Sequence, residues 1–162
     1  EDDFFNRFAG LARISPVLPL IGGGHTRFQP VFVSDVASAI AQSIQDPNAQ
    51  GRLYELGGPT QYTFKELLEF ILKTVKRRRL LVPLPFALAK IDAFFLGLLP
   101  SPLLTMDQVE LLKTDNIVGV SGEDGVGILE DFVANPASIE VEVPPYLARF
   151  RKYGQYETDR SV

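Results

Sequence analysis

Apolar positions in the first residues recur every three to four places. Phe4, Phe8, Leu11 and Ala12 share one face and Phe5 widens it, so residues 3–14 predict an amphipathic helix. Asp2 and Asp3 sit at its N-terminal end, where the helix dipole favours them. Pro16 and Pro19 end it. Leu18 to Ile21 predict a short strand, and Gly22-Gly23-Gly24 a tight turn into the next.

The pattern then shifts within one stretch, His25 to Asp46. Phe28, Val31, Phe32 and Val33 are strand-type residues, with Pro30 marking an edge or bulge. Ser34-Asp35 offers a helix N-cap. Val36, Ala37, Ile40, Ala41 and Ile44 follow at the spacing of one helical face, predicting a helix over 34–45. Asp46-Pro47-Asn48 reads as a turn and residues 52–56 as a strand ending at Gly57-Gly58-Pro59.

Thr63 and Glu66 form a capping box, and Tyr62 with Leu67 the matching hydrophobic staple. Leu67, Leu68, Ile71, Leu72 and Val75 supply the buried face of that helix. Lys76-Arg77-Arg78-Arg79 closes it; such a run is either a solvated helix end or a site for an acidic partner or anionic headgroups. Residues 80–104 are the most apolar stretch. Four prolines, Lys90 and Asp92 interrupt it, which predicts a short strand to Val82 and a helix of about 14 residues from Pro85 rather than a membrane span. Thr105 and Gln108 make a second capping box, with Leu104 and Val109 as staple, for a helix ending near Lys113. Residues 114–127 read as loop and 128–133 as a short extended piece; Pro136 and Ser138 precede a weak helical stretch, and Pro144-Pro145 start the last helix, residues 146–154. The tail from Gln155 is polar. Strand and helix do not alternate cleanly, which argues against a complete doubly wound sheet.

Composition narrows the function classes. The 162 residues are 46% hydrophobic and 22% charged, as in folded domains. The net charge of -4 argues against nucleic acid as the main partner. There is no cysteine, which excludes disulfides and thiolate metal sites, and a single histidine leaves little scope for a zinc site or a His-based triad. The opening Glu1-Asp2-Asp3 has neither the initiator methionine nor a signal peptide, so a fragment or processed chain is expected. The glycine triplet leads into a strand, whereas a dinucleotide fingerprint opens a helix. Asp35 is better explained by capping than by base catalysis. Arg27 and Gln29 alternate on one strand face beside the glycine turn, where they either bind a phosphate or polar substrate or form an exposed strand face. No Tyr-x-x-x-Lys pair occurs and no carboxylate pair stands out as a glycosidase-like constellation, so nothing in the residues identifies an enzyme.

Phe32-Val33-Ser34-Asp35-Val36-Ala37 resembles a segment of the extended short-chain dehydrogenases, the sugar-nucleotide epimerase and dehydratase superfamily. Residues 1–8, 27–37, 54–59 and 105–116 together resemble one branch of it, the nucleotide-binding accessory subunit of respiratory complex I (NADH:ubiquinone oxidoreductase), the last segment being most particular to that branch. The resemblance implies a mixed α/β (α+β) fold, the C-terminal lobe of an extended Rossmann-type protein. Residues 1–154 would be the substrate-side lobe and 155–162 a tail. The parent would hold NAD(P) in a Rossmann half before Glu1, and this piece would not bind it tightly. Phe4, Asn6, His25, Arg27 and Gln29 would line the cleft, with no catalytic or metal-binding residue. Expected partners are the missing half, complex I subunits or a membrane surface, with a homo-oligomer for the piece alone. The expected location is cytoplasmic, or peripheral on the inner bacterial membrane or the mitochondrial matrix side. Two alternatives stay open: the substrate domain of a sugar-nucleotide epimerase, dehydratase or reductase, and a membrane-peripheral scaffold built on residues 77–104.

Overall fold

Helix α1, Asp3–Ile14, follows the predicted periodicity and buries Phe5, Ala9 and Ala12. The computed structural model describes residues 3–89, 106–119, 126–152 and 154. These fall into two units. Unit 1 comprises Glu1–Thr26, Thr63–Asp115 and Val143–Val162; unit 2 comprises Arg27–Tyr62 and Asn116–Glu142. Both mix helices with short strands, and the expected mixed α/β class is what the chain adopts.

In unit 1, α1 packs on the helix that the capping box predicted, Phe64–Thr74, which is α3 in chain order. Thr63 Oγ1 accepts from the Glu66 N–H, and the Glu66 carboxylate accepts from the Thr63 N–H at 2.7 Å. Phe64, Leu67, Leu68, Ile71 and Leu72 form its buried face. The Phe64 ring meets Phe4 and Phe8 edge-on or tilted at 6.0 and 5.5 Å. Complete burial of such a side chain contributes about 2–3 kcal/mol. The helix stops in a Schellman pattern. Lys76 adopts φ 52°, its N–H reaches the Lys73 carbonyl, and the Arg77 N–H reaches the Leu72 carbonyl at 3.0 Å.

Strand β1, Val17–Ile21, pairs in parallel with the strand Leu80–Leu84, β5 in chain order, in the register Val17 to Leu80 through Ile21 to Leu84. The glycine triplet behaves as the plain turn. Gly22 has φ +61°, and a Cβ there would lie 2.3 Å from the Phe86 ring. Residues 86–89 are helical, and the rest of the expected helix from Pro85 lies outside the described residues. Helix α4, Met106–Leu111, buries Val109; its expected cap at Thr105 is likewise outside them. Thr26, buried, donates its hydroxyl to the Leu112 carbonyl.

Unit 2 contains α2, Val33–Gln45, and two short parallel strands, β3 (Tyr54–Glu55) and β6 (Gly127–Ile128). The Tyr54 ring lies 4.7 Å from that of Phe132. Three local expectations are corrected. Residue Phe32, not Ser34 or Asp35, caps α2, and no side chain bonds there, because the Asp35 carboxylate accepts from the Ala137 N–H at 2.7 Å. The extended piece expected at 128–133 ends at Ile128. It turns into a 3-10 segment, Leu129–Asp131, as Asp131 accepts from the Ile128 N–H. Pro144 and Pro145 lie inside the last helix, α5 (Ile139–Leu147), which starts five residues earlier with Ser138 accepting from Val141 and Glu142. Helix α2 keeps its apolar face but not a buried one. Ala39 is its buried residue, whereas Val33, Ile40 and Ile44 are 73, 53 and 76% exposed.

Candidate functional site

The residues with candidate chemistry occupy both units, and each group is built by its own unit. In unit 2 the segment after Thr26 runs as a short strand, β2 (Arg27–Phe28), and bridges in parallel to Asn116. The Asn116 N–H donates to the Arg27 carbonyl at 2.8 Å, and the Gln29 N–H donates to the Asn116 carbonyl at 3.0 Å. This fixes the backbone on either side of Phe28. The Arg27 side chain is exposed.

Gln29 is half-buried, and its amide is used inside the protein. Its Nε2 donates to the Gly58 carbonyl at 2.8 Å. Its Oε1 accepts from the Val118 N–H at 3.2 Å and from Gln61 Nε2 at 3.3 Å. One side chain therefore ties together the loops at 58–61 and 116–119. Gly58 is pressed so tightly that a Cβ would sit 1.8 Å from the Pro30 carbonyl oxygen. The Gly57-Gly58 pair thus serves backbone packing. Neighbouring bonds extend the mesh: Glu55 accepts from the Gly119 N–H at 2.7 Å, and the Tyr62 hydroxyl donates to Glu140 at 2.7 Å. Burial pushes the Glu140 carboxyl upward, but the hydrogen bonds from Tyr62, its own backbone and Ser138 outweigh it, and the net direction is down.

In unit 1, Phe4 and Asn6 project from α1. Phe4 belongs to the aromatic cluster with Phe5, Phe8 and Phe64. The Asn6 side-chain oxygen accepts from Arg149 Nη2 at 2.9 Å. His25 is exposed, one residue after the glycine turn. Phe4 and Asn6 are thus neighbours on one helix, and Arg27 and Gln29 neighbours on one strand segment.

Sequence reasoning missed the pairs Glu55–Gly119, Tyr62–Glu140 and Asp35–Ala137. They join positions 64, 78 and 102 residues apart, and no local pattern announces such partners. Among the described residues no group of histidine and carboxylate side chains could hold a metal ion, and no helix is long and apolar enough to cross a membrane. Gly22–Gly24 lead into β2, and Gly57-Gly58 are closed by Pro30 rather than opening a helix. What the arrangement can do is hold loops in fixed register and present Arg27 and His25 to solvent.

No family model matches the chain. Curated relatives do. The NADH dehydrogenase (ubiquinone) 1 alpha subcomplex subunit 9, mitochondrial, of Arabidopsis thaliana is 35% identical over 164 residues, covering 95% of this chain and 40% of that protein. The protein of the same name from Rattus norvegicus is 35% identical over 156 residues, covering 94% and 40%. The NADH-ubiquinone oxidoreductase 40 kDa subunit of Neurospora crassa is 28% identical over 158 residues, covering 97% and 40%. The chain is therefore homologous to mitochondrial complex I subunits, and it spans 40% of the length of these relatives.

Proposed function

We propose that this chain is the C-terminal region of an accessory-subunit-like protein of NADH:ubiquinone oxidoreductase, with a structural rather than catalytic role. The observation that carries the reading is the match along nearly the whole chain, at 35% identity, to subunits of that enzyme. The geometry of unit 2 agrees with it. The polar side chains of the family-like segments, Gln29 and Asp35, are spent on main-chain groups, and neither is paired as an acid or base. NAD(P) would be held by the parent's other half, of the extended short-chain dehydrogenase type. Phe4, Asn6 and His25 are the residues that unit 1 would offer to that half, and Arg27 and Gln29, separately, those that unit 2 would offer. Arg27 would contribute a planar donor fork suited to a phosphate.

The exposed stripe Val33, Ile40 and Ile44 on α2 supports the view that a larger body is missing. A helix with an apolar face of this length ordinarily packs it. The occupant we assign is the preceding half of the parent; the chain covers 40% of the length of the Arabidopsis thaliana relative. Alone, the chain would self-associate through the same stripe, and light scattering that finds a monomer would count against this.

The main test is native-gel separation of gently solubilised membranes from the source organism. The protein is expected in the band that oxidises NADH and reduces quinone. Finding it only outside that band, together with turnover of a nucleotide sugar in the presence of NAD(P), would overturn the proposal in favour of an epimerase- or dehydratase-type enzyme.

A further inference from the structure

Two arginines lace the 3-10 turn Ala148–Phe150 onto the end of α3, and they run in opposite directions. Arg77, just past α3, donates from Nε to the Phe150 carbonyl at 3.1 Å, and Arg151 donates from Nε to the Thr74 carbonyl at 3.1 Å. The same turn is held on α1. Arg149 Nη2 donates to the Asn6 side-chain oxygen, and the Phe150 ring stands 3.8 Å from where a Cβ on Gly10 would lie. The carbonyls of Thr74 and Phe150 sit where a helix or turn runs out of N–H donors, so the two Nε bonds are ordinary capping. Capping accounts for one donor of each guanidinium. Each carries five N–H donors, and the outward fork of both groups is left over at one seam.

Charge is unbalanced at that seam. Eight of the 16 lysines and arginines fall in residues 73–79 and 149–152, and no Asp or Glu occurs from 70 to 91 or from 143 to 156. Among the described residues neither Arg77 nor Arg151 forms an ion pair, yet both are half-buried, unlike the exposed Arg78. Holding two like charges partly out of water costs free energy that carbonyl dipoles offset only in part. An anion between the two guanidinium groups removes the repulsion and occupies both forks. A carboxylate has oxygens for one fork. A phosphate has the charge and the oxygens for two, and the planar fork matches it bidentately. Partial burial also favours a small ion, which can enter a seam, over a broad acidic surface, which would meet exposed Lys73 and Arg78 first.

We propose that Arg77 and Arg151 form a binding site for the phosphate group of a small soluble ligand, at the seam between the end of α3 and the turn Ala148–Phe150. The bound phosphate bridges the two arginines and tightens the turn on α3 and, through Arg149 and Phe150, on α1. This goes beyond the functional reading above and does not depend on it.

Inorganic pyrophosphate is the probe, in lipid-free buffer at constant ionic strength. Calorimetric titration of the unaltered chain is expected to show saturable binding at a single site. At about ten times the dissociation constant the folding equilibrium shifts about elevenfold, and the melting temperature rises by roughly 3 °C; chloride at the same ionic strength gives no such rise. Arg77→Gln and Arg151→Gln are each expected to weaken binding at least about tenfold, through the loss of charge-assisted bonds. Arg77→Lys keeps the charge without the fork and should fall between. Arg78→Gln, at an exposed position, should change binding less than about twofold. Circular dichroism checks that each variant is folded, and the comparison of pyrophosphate with chloride on the unaltered chain stands even if one is not. Absence of saturable binding overturns the proposal. So does an equal loss in Arg78→Gln, which would mean a diffuse charge effect. Binding confined to vesicles containing phosphatidic acid, with none to pyrophosphate in solution, also overturns it.

Discussion

The side-chain amide of Gln29 donates to the carbonyl of Gly58 at 2.8 Å while its oxygen accepts from the Val118 N–H at 3.2 Å. One residue thus satisfies two main-chain groups that belong to different loops. Gln29→Leu keeps the size and removes the bonds, leaving the partners short of hydrogen bonds in a half-buried place. The expected loss is about 2 kcal/mol of stability, read from the urea midpoint. Gln29→Glu restores only the acceptor and should lie between the two. A Leu variant as stable as the parent would mean that the loops do not depend on this amide.

Gly58 has no room for a side chain. With a Cβ 1.8 Å from the Pro30 oxygen, Gly58→Ala must move the backbone. A loss of about 3 kcal/mol is expected, at the upper end of overpacking costs. Hydrogen exchange should show lost protection at Gln29 and Asn116 amides before those of α3. Gly51, where a Cβ meets nothing within 4 Å, is the control for close approach, although its own φ of +72° makes alanine there mildly strained.

The capping box of α3 gives a pH dependence with a definite sign. The main-chain bond from Thr63, then the Thr63 hydroxyl, lower the Glu66 carboxyl below its ordinary 4.5. The ionised form is the one favoured in the folded state, so its contribution is complete above about pH 4.5 and fades as pH falls through the lowered value. Thr63→Ala should cost about 1 kcal/mol at pH 7. The gap between parent and variant should narrow below pH 4. A gap independent of pH down to 3 would show that the carboxylate takes no part.

Lys76 ends the same helix with φ 52°, a backbone region glycine enters freely and other residues enter at a cost of about 1 kcal/mol. Lys76→Gly should therefore leave stability unchanged or raise it by up to about 1 kcal/mol, part of the gain being offset by the freer unfolded chain. Thermal melts that show a clear loss would mean that the lysine side chain contributes more than its backbone strain.

The elements legible in advance were those written in local code. The periodicity of residues 3–14 gave α1 with its observed ends, and Thr63 with Glu66 gave both the start of α3 and the bonds that make it. The resemblance pointed to complex I subunits, and relatives that match nearly the whole chain carry such names. What local code could not show was where polar side chains go when the partner is distant. Asp35 looks like a cap because it stands at a helix start, yet Ala137 takes its carboxylate. Gln29 looks like a binding residue because it alternates with Arg27, yet its amide closes on Gly58 and Val118. Pro144 and Pro145 look like a fresh helix start, but they lie inside one helix with the weak stretch expected after Ser138, whose carbonyl accepts two N–H groups. At Asp35 and Gln29 a long-range bond overrides a short-range preference.

The way the two units share the chain has a consequence for how the protein is made. Unit 1 is assembled from three stretches and unit 2 from two, interleaved along the sequence. Strand β1 waits for a partner more than sixty residues downstream, and the cross-ties from Phe150 and Arg151 come later still. On a ribosome neither unit can close until its last stretch has emerged. Until then α1 and β1 lack the partners that bury them within unit 1, which is the period when a nascent chain most needs a chaperone.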